Sequence, residues 1–283
     1  MPRLPRSVEL RRGVLAVSVL CDLDIAPDDL GVALPGEPDV WIPWGDCRRA
    51  LMGHHPESSE GHERLGRWLL THRWAANLPV AEFRTRLRPL GLPIDHLLHP
   101  GLDWVRRRVL GDALDLGLGA VGIDPSNPEA VIPLPQPLVE DAFGLDAEVE
   151  WLAAESYLNE MGLLAAERLP LEDRGQLRRM GDCDVVTLLG SWHLREAIAD
   201  SAGGLGAIAV PMRDRGWTKL ALIDPAFCPA AAAATPPRER GFERPLLITA
   251  DELTQASPGG RPAALALRER GIDEPWLASA LYR

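Results

Sequence analysis

Short apolar runs bounded by glycine, proline and aspartate are the feature that most constrains this fold. Toward the C-terminus these runs are DVVTLLGS, GAIAVPM, TKLALID and RPLLITA, and a helical pattern, WHLREAIADSA, lies between the first two. Apolar runs of about four to eight residues are typical of buried strands. The alternation predicts a mixed α/β fold, with a helix-rich N-terminal part and a smaller strand-helix-strand part toward the C-terminus.

The N-terminal part combines predicted strands and helices. GVLAVSVLCDLD is typical of a buried strand, and DVWIPW of a short strand that Pro43 keeps at a sheet edge. A helix capped by Ser58 or Ser59 should run to about Ala75. Further helices are expected over about 80–87, 102–116 and 146–168, the last burying the stripe Val149, Ala153, Tyr157, Met161 and Leu164. Two more are expected over 261–270 and 273–281.

A proline-rich segment marks the best candidate for a domain boundary. It carries Pro125, Pro128, Pro133, Pro135 and Pro137, a composition typical of an extended connector. The predicted organisation is an N-terminal part over 1–120, an acidic connector over 121–145 and a C-terminal α/β part over 146–283. One continuous domain is the alternative.

Composition favours a protein free in the cytoplasm. Apolar residues make up 46% of the chain. The sequence has no run of eighteen apolar residues, the length needed to span a bilayer as a helix. Four cysteines without close pairing fit free thiols in a reducing compartment. Abundant Ala, Leu, Pro and Arg are typical of a high-GC bacterium. We therefore expect a soluble cytoplasmic protein that does not bind membranes.

The charge is strongly acidic and unevenly distributed. A formal net charge of −11 argues against general nucleic-acid binding. The region 47–108 is rich in arginine, whereas 109–167 holds twelve carboxylates and no Lys, Arg or His. Such regions could attract each other within the chain, could attract a protein partner or a second copy of the chain, or could simply be solvated faces. Nine tryptophans could build a pocket or an interface, or fill the core.

One segment and the helix after it are rich in potential metal ligands. The candidate ligands of a divalent metal are Cys47, His54, His55, His62 and His72. Zinc sites usually draw their ligands as close pairs, because each pair on one turn or helix face can converge on the ion. These residues lack such pairs, so a zinc site would have to be assembled by the fold. The alternative is a set of loop histidines with His72 on a packed helix face.

A second candidate site is the pair Asp22 and Asp24 at the end of the first predicted strand. Two carboxylates there could hold Mg²⁺ and attack a phosphate. The motif resembles the first motif of the haloacid-dehalogenase-like phosphohydrolases. That resemblance implies that Ser191 and Lys219 contact phosphate and that Asp251 and Glu252 complete the metal site. Ile25 and Ala26 depart from the family pattern.

Strong catalytic motifs are missing from the sequence. It contains no G-x-x-x-x-G-K-[ST], H-E-x-x-H or G-x-S-x-G motif. The sequence therefore favours a non-catalytic binding or interaction protein that acts through a charged, tryptophan-containing interface. The alternative is a metal-dependent hydrolase that uses either Asp22 and Asp24 or the histidine cluster. Whether the protein is an enzyme stays open at this point.

Overall fold

The chain has a mixed α/β fold built from helices and antiparallel sheets, as the sequence predicts. The computed structural model describes residues 7–36, 39–101, 104–111, 113–172, 175–219 and 227–256. Contacts divide them into two compact units. The first unit takes its residues from 1–90, 97–107 and 117–154, and the second from 91–96, 108–116 and 155–283. The predicted domain bounds at residues 120 and 145 describe parts that fold independently, and they stay a prediction.

The first unit begins with helices packed on a small sheet. Its elements are α1 (Ser7–Leu20), β1 (Ala26–Pro27), β2 (Gly31–Leu34), β3 (Val40–Pro43), α2 (Trp44–Ala50), α3 (Ser59–Ala76) and α4 (Val80–Thr85). The sheet has the order β1-β2-β3 with antiparallel pairing. Its edge strand β3 confirms the strand predicted for DVWIPW.

The segment predicted as the first strand is helical, so that prediction is wrong. In α1, Leu10, Val14 and Val17 are buried, whereas Leu15 and Val19 face outward. Burial at positions three and four residues apart defines one face of a helix, whereas a strand would bury alternate residues. A short apolar run fits either structure. Packing of α1 against α3 selects the helix.

Helix α3 confirms the predicted helix and its cap. The hydroxyl oxygen of Ser58 accepts a hydrogen bond from the backbone N–H of Gly61 at 3.0 Å, which satisfies one of the free donors of the first turn. Leu65, Trp68 and Leu69 are buried in the core that α3 shares with α1, β2 and α2. The same buried face carries His72.

The described part of the predicted helix over 102–116 forms strands, so that prediction is wrong. The strands here are β4 (Leu87–Pro93), β5 (Arg106–Leu110), β6 (Leu114–Val121) and β7 (Val131–Pro133), with the order β4-β6-β5 and β7 paired to β6. Leu114, Leu116 and Leu118 recur at every second residue and are buried. This is the period of a strand. Strands β4, β5 and β6 each supply residues to both units.

Helix α5 (Ala147–Arg168) begins where the sequence predicts, but it buries a different face. Asp146 caps it by accepting the backbone N–H groups of residues 148 and 149. The buried stripe consists of Ala147, Glu150, Trp151, Ala154, Leu158, Gly162 and Ala165, whereas Val149 and Leu164 are exposed. Helix α5 carries apolar residues on all of its sides, so the periodicity of the sequence alone could not identify the face that is buried.

The second unit is built on a five-stranded antiparallel sheet. Its elements are β8 (Gln176–Arg178), α6 (Val185–Leu188), α7 (Trp192–Asp200), β9 (Gly206–Met212), β10 (Arg215–Trp217), α8 (Phe227–Ala234), β11 (Leu246–Ile248) and β12 (Leu253–Gln255). The order is β12-β11-β9-β10-β8. The predicted strands GAIAVPM and RPLLITA and the helix between residues 192 and 202 are confirmed.

DVVTLLGS was predicted as a strand, and that prediction is wrong. Asp184 accepts the backbone N–H of Thr187 and so starts the short helix α6. Asp184 also pairs with Arg213 at 2.6 Å. A side-chain cap can thus turn an apolar run into a helix. Most of TKLALID and the predicted C-terminal helices over 261–270 and 273–281 lie outside the described residues.

No helix among the described residues is long and apolar enough to cross a membrane.

The helical state of α1 predicts opposite effects at two neighbouring valines. Val17 is 1% exposed and Val19 is 82% exposed. Val17→Ala should lower the free energy of unfolding by about 2 kcal/mol, because it leaves a cavity in the core. Val19→Ala should raise the free energy of unfolding by roughly a few tenths of a kcal/mol, because alanine favours a helix. Urea unfolding measures both. A strand would place both valines on one face, so equal losses would contradict the helix.

Candidate ligand-binding cleft

The predicted carboxylate site lacks the strand on which it depended. Helix α1 ends at Leu20, and Asp22 follows it with a left-handed φ of 52°. Asp22 and Asp24 are exposed, and Leu23 between them is half-buried against the core. The two carboxylates therefore follow a helix and not the carboxyl end of a strand. They belong to the first unit, whereas Lys219, exposed just after β10, belongs to the second.

The predicted metal ligands occupy separate environments. Cys47 is buried, and burial, with a smaller effect of Asp46, raises the pKa of its thiol to about 12. The thiolate that would bind zinc is therefore disfavoured. His54 and His55 are exposed in the loop before α3, where His55 Nδ1 accepts the backbone N–H of Glu57 at 3.2 Å. His62 lies in the first turn of α3.

Throughout the described part of the chain, no three histidine, cysteine or carboxylate side chains converge as ligands of one metal ion. The five candidates all lie within that part. Of these, only His72 lines the cleft described next.

A cleft of about 580 Å³ opens within the first unit. Its volume falls in the range of sites for small organic molecules. Three segments form its walls: β3 with the start of α2, the end of α3 with the start of α4, and a π-helical turn, Leu138–Ala142. The lining residues are Asp39, Val40, Trp41, Pro43, Asp46, His72, Ala76, Leu78, Val80, Pro137, Leu138, Asp141, Ala142 and Phe143.

The charged lining of the cleft is acidic. Two of the three wall segments contribute carboxylates. The segment of β3 and α2 supplies Asp39 and Asp46, and the π-helical turn supplies Asp141. The lining residues include no Lys or Arg. Asp46 is buried and accepts a hydrogen bond from Arg49 at 2.7 Å, which offsets part of its charge. Asp39 accepts the backbone N–H of Gly36 at 2.9 Å. Asp141 is exposed.

Two aromatic side chains form further parts of the wall. Trp41 is 50% exposed. Its indole N–H points to Asp28 Oδ2 at 3.4 Å, and its ring lies against Gly31, where a Cβ would meet it at 2.8 Å. The pKa of Asp28 is lowered, first by the backbone N–H of Gly31 and then by that of Leu30. The carboxylate that holds the indole N–H of Trp41 is therefore favoured in its charged form. Phe143 stacks on buried Phe83 with ring centroids 3.8 Å apart.

His72 lines the cleft in one defined tautomer. Its Nδ1 lies 2.8 Å from the carbonyl oxygen of Trp68, and a carbonyl only accepts, so Nδ1 carries the proton. Burial lowers the pKa of His72 to about 4, against a smaller opposing effect of the Trp68 carbonyl. At neutral pH the ring is therefore uncharged, and Nε2 holds a lone pair. Nε2 makes no hydrogen bond to any described residue.

This arrangement is suited to a cation. Carboxylates attract positive charge, an aromatic face binds it through its quadrupole, and a neutral imidazole nitrogen accepts a hydrogen bond. An anion would meet three carboxylates and no lining cation. The polar groups of the cleft therefore select by charge and by hydrogen-bond direction.

Sequence reasoning identified only part of this site. It singled out His72 as a possible metal ligand and Trp41 as a possible pocket residue, but it missed Asp39, Asp46 and Asp141. A signal for the first two was present, because carboxylates flank the tryptophans in DVWIPWGD. For Asp141 no local signal distinguishes it from the other carboxylates between 109 and 167.

Comparison of the chain with protein families, with curated proteins and with solved structures found no match.

The buried neutral imidazole predicts a loss of stability in acid. The pKa of His72 is about 4 in the folded protein and 6.5 ordinarily. Between these values the unfolded chain binds the extra proton, so the free energy of unfolding should fall by on the order of 2–3 kcal/mol as the pH drops from 6.5 to 4.

Urea unfolding of the wild type and of His72→Phe at several pH values measures this contribution. The variant should lose stability less steeply over that interval, because the substituted ring does not titrate. Equal slopes for the two proteins would contradict a neutral, buried His72. NMR titration of the ring gives an independent check.

Proposed function

We propose that this protein is a non-catalytic binding protein that takes an organic cation into the cleft of its first unit. The observation that carries the proposal is the composition of the wall: three carboxylates, a half-exposed tryptophan and an uncharged imidazole, without Lys or Arg. This is a form of the charged, tryptophan-containing interface that the sequence favours. It places the interaction in a cleft of small-molecule size.

The carboxylates supply the attraction for the cation. Asp46 is buried and forms an ion pair with Arg49, whose side chain is 47% exposed. Asp39 and Asp141 are more exposed, so water and salt weaken their effect on a ligand. A cation bound near them should therefore bind less tightly as the salt concentration rises.

Trp41 supplies a surface for the organic part of the ligand. Its anchor to Asp28 and its position over Gly31 hold the ring in place before any ligand arrives. A prepared aromatic surface contributes more to affinity than a mobile one, because less conformational freedom is lost on binding. A cation–π contact at such a partly exposed site contributes about 0.5–1 kcal/mol.

The ammonium group could belong to a free amine or to the lysine side chain of a protein partner. The volume of about 580 Å³, which suits a small molecule, favours a free amine. The metal-dependent hydrolase stays a prediction. Its histidine version has no described group of three ligands, and its carboxylate version has no strand before Asp22.

Three probes of similar size and different charge test the proposal. Benzylammonium should bind, benzyl alcohol should bind at least about fivefold more weakly, and phenylacetate should not bind, because only the first complements the carboxylates. Ligand-observed NMR and calorimetry at low salt measure the dissociation constants. An alcohol that binds as tightly as the ammonium would overturn the proposal. An acetylated and an unmodified lysine peptide test the other source of the cation.

Asp141→Asn, with Glu140→Gln as its control, locates the bound probe. Each change removes one charge from neighbouring positions of the same turn, but only Asp141 lines the cleft. We expect Asp141→Asn to weaken benzylammonium binding by about 1 kcal/mol, or about fivefold, and Glu140→Gln to have a much smaller effect. Equal effects of the two variants would place the binding outside the cleft.

A further inference from the structure

His72 and Asp46 are the buried titratable side chains among the residues that line the cleft, and of the two only His72 is uncharged at neutral pH. It is only 6% exposed, yet it lines the cleft. Its Nδ1–H is bound to Trp68 within the same helix, one turn earlier. The neutral ring is therefore fixed in one tautomer, with the acceptor nitrogen Nε2 free of described protein partners.

His72 Nε2 stays within reach of solvent. A ligand that covers Nε2 and donates a hydrogen bond to it replaces the bond to water. A ligand without a donor displaces the water and leaves an acceptor buried without a partner, which is costly. The imidazole thus favours a ligand that carries a hydrogen-bond donor.

We infer that His72 Nε2 accepts an N–H of the bound cation, so that the ligand class is a protonated primary, secondary or tertiary amine and not a quaternary ammonium. This inference rests on the proposed function and names its ligand class. Trp41 would bind both kinds of cation through charge alone, whereas the carboxylates attract both and also accept an N–H. His72 adds an uncharged acceptor to this preference, and its removal measures that contribution.

Two probes that differ by a single methyl group test the inference. N,N-dimethylbenzylammonium keeps one N–H, whereas N,N,N-trimethylbenzylammonium has none, and the two are almost equal in size and charge. The wild-type protein should bind the dimethyl probe about tenfold more tightly, as expected for a hydrogen bond that involves a charged donor. Calorimetry and ligand-observed NMR measure the ratio of dissociation constants.

The ¹⁵N resonance of His72 Nε2 gives a readout that a purely structural role would not move. It should shift upfield when the dimethyl probe binds, because a charged donor then replaces water at the lone pair, and it should shift downfield with the trimethyl probe, which removes the water without replacing it. Both measurements use the wild-type chain, so the test does not depend on a variant that folds.

Two variants complete the design. His72→Phe should lower the ratio of the two dissociation constants several-fold, because it removes one acceptor and leaves the carboxylates in place; an unchanged ratio would overturn the role of His72. The control Trp41→Leu should weaken both probes and leave the ratio unchanged, because an aromatic face does not distinguish them by N–H content.

The outcomes separate the two proposals. If neither probe binds, the proposed function fails. If both bind equally and the resonance of Nε2 does not move, the proposed function stands and the role of His72 is overturned. A trimethyl probe that binds more tightly than the dimethyl probe would also overturn the role of His72.

Discussion

The hydrogen bond from His72 Nδ1 to the carbonyl oxygen of Trp68 is the interaction on which the proposed site depends. It fixes the tautomer of a buried ring and leaves Nε2 as an acceptor. This requires helical backbone at that point, because the two residues lie one turn apart on the buried face of α3. The packing of α1 against that helix therefore supports the cleft as well as the core.

The rest of the cleft is held by similar local contacts. Gly31 leaves room for the ring of Trp41, and Asp28 holds the indole N–H. Phe83 stacks on Phe143 and fixes one end of the π-helical turn. The ion pair of Arg84 with Glu150 at 2.9 Å joins the arginine-rich and carboxylate-rich regions of the chain within the first unit. Opposite charges thus meet within the fold at this point, one of the uses that the charge pattern allowed.

Local signals predicted the starts of α3 and α5, where a side-chain cap precedes a long helical pattern. The caps of α3 and α5 were read correctly, because a serine or aspartate that accepts the first N–H groups acts within three residues. The predictions for α1 and α6 were wrong, because their short apolar runs suit a strand as well as a helix. At α1 the helix is selected by packing against α3, which is distant in sequence, whereas at α6 the local cap Asp184 starts the helix. Tertiary packing also selected the inward face of α5.

The sequence by itself determined the mixed α/β class, the start of α3 with His72 on its buried face, and the acidic character of the chain. Only the tertiary structure decided that Asp39, Asp46 and Asp141 would border one cleft beside that imidazole, while Cys47 and the loop histidines would not join it. The physical reason is the separation along the chain over which each interaction acts. Caps and periodicity act within a few residues, whereas a cleft is formed by segments separated by tens of residues, which only packing of the core brings together.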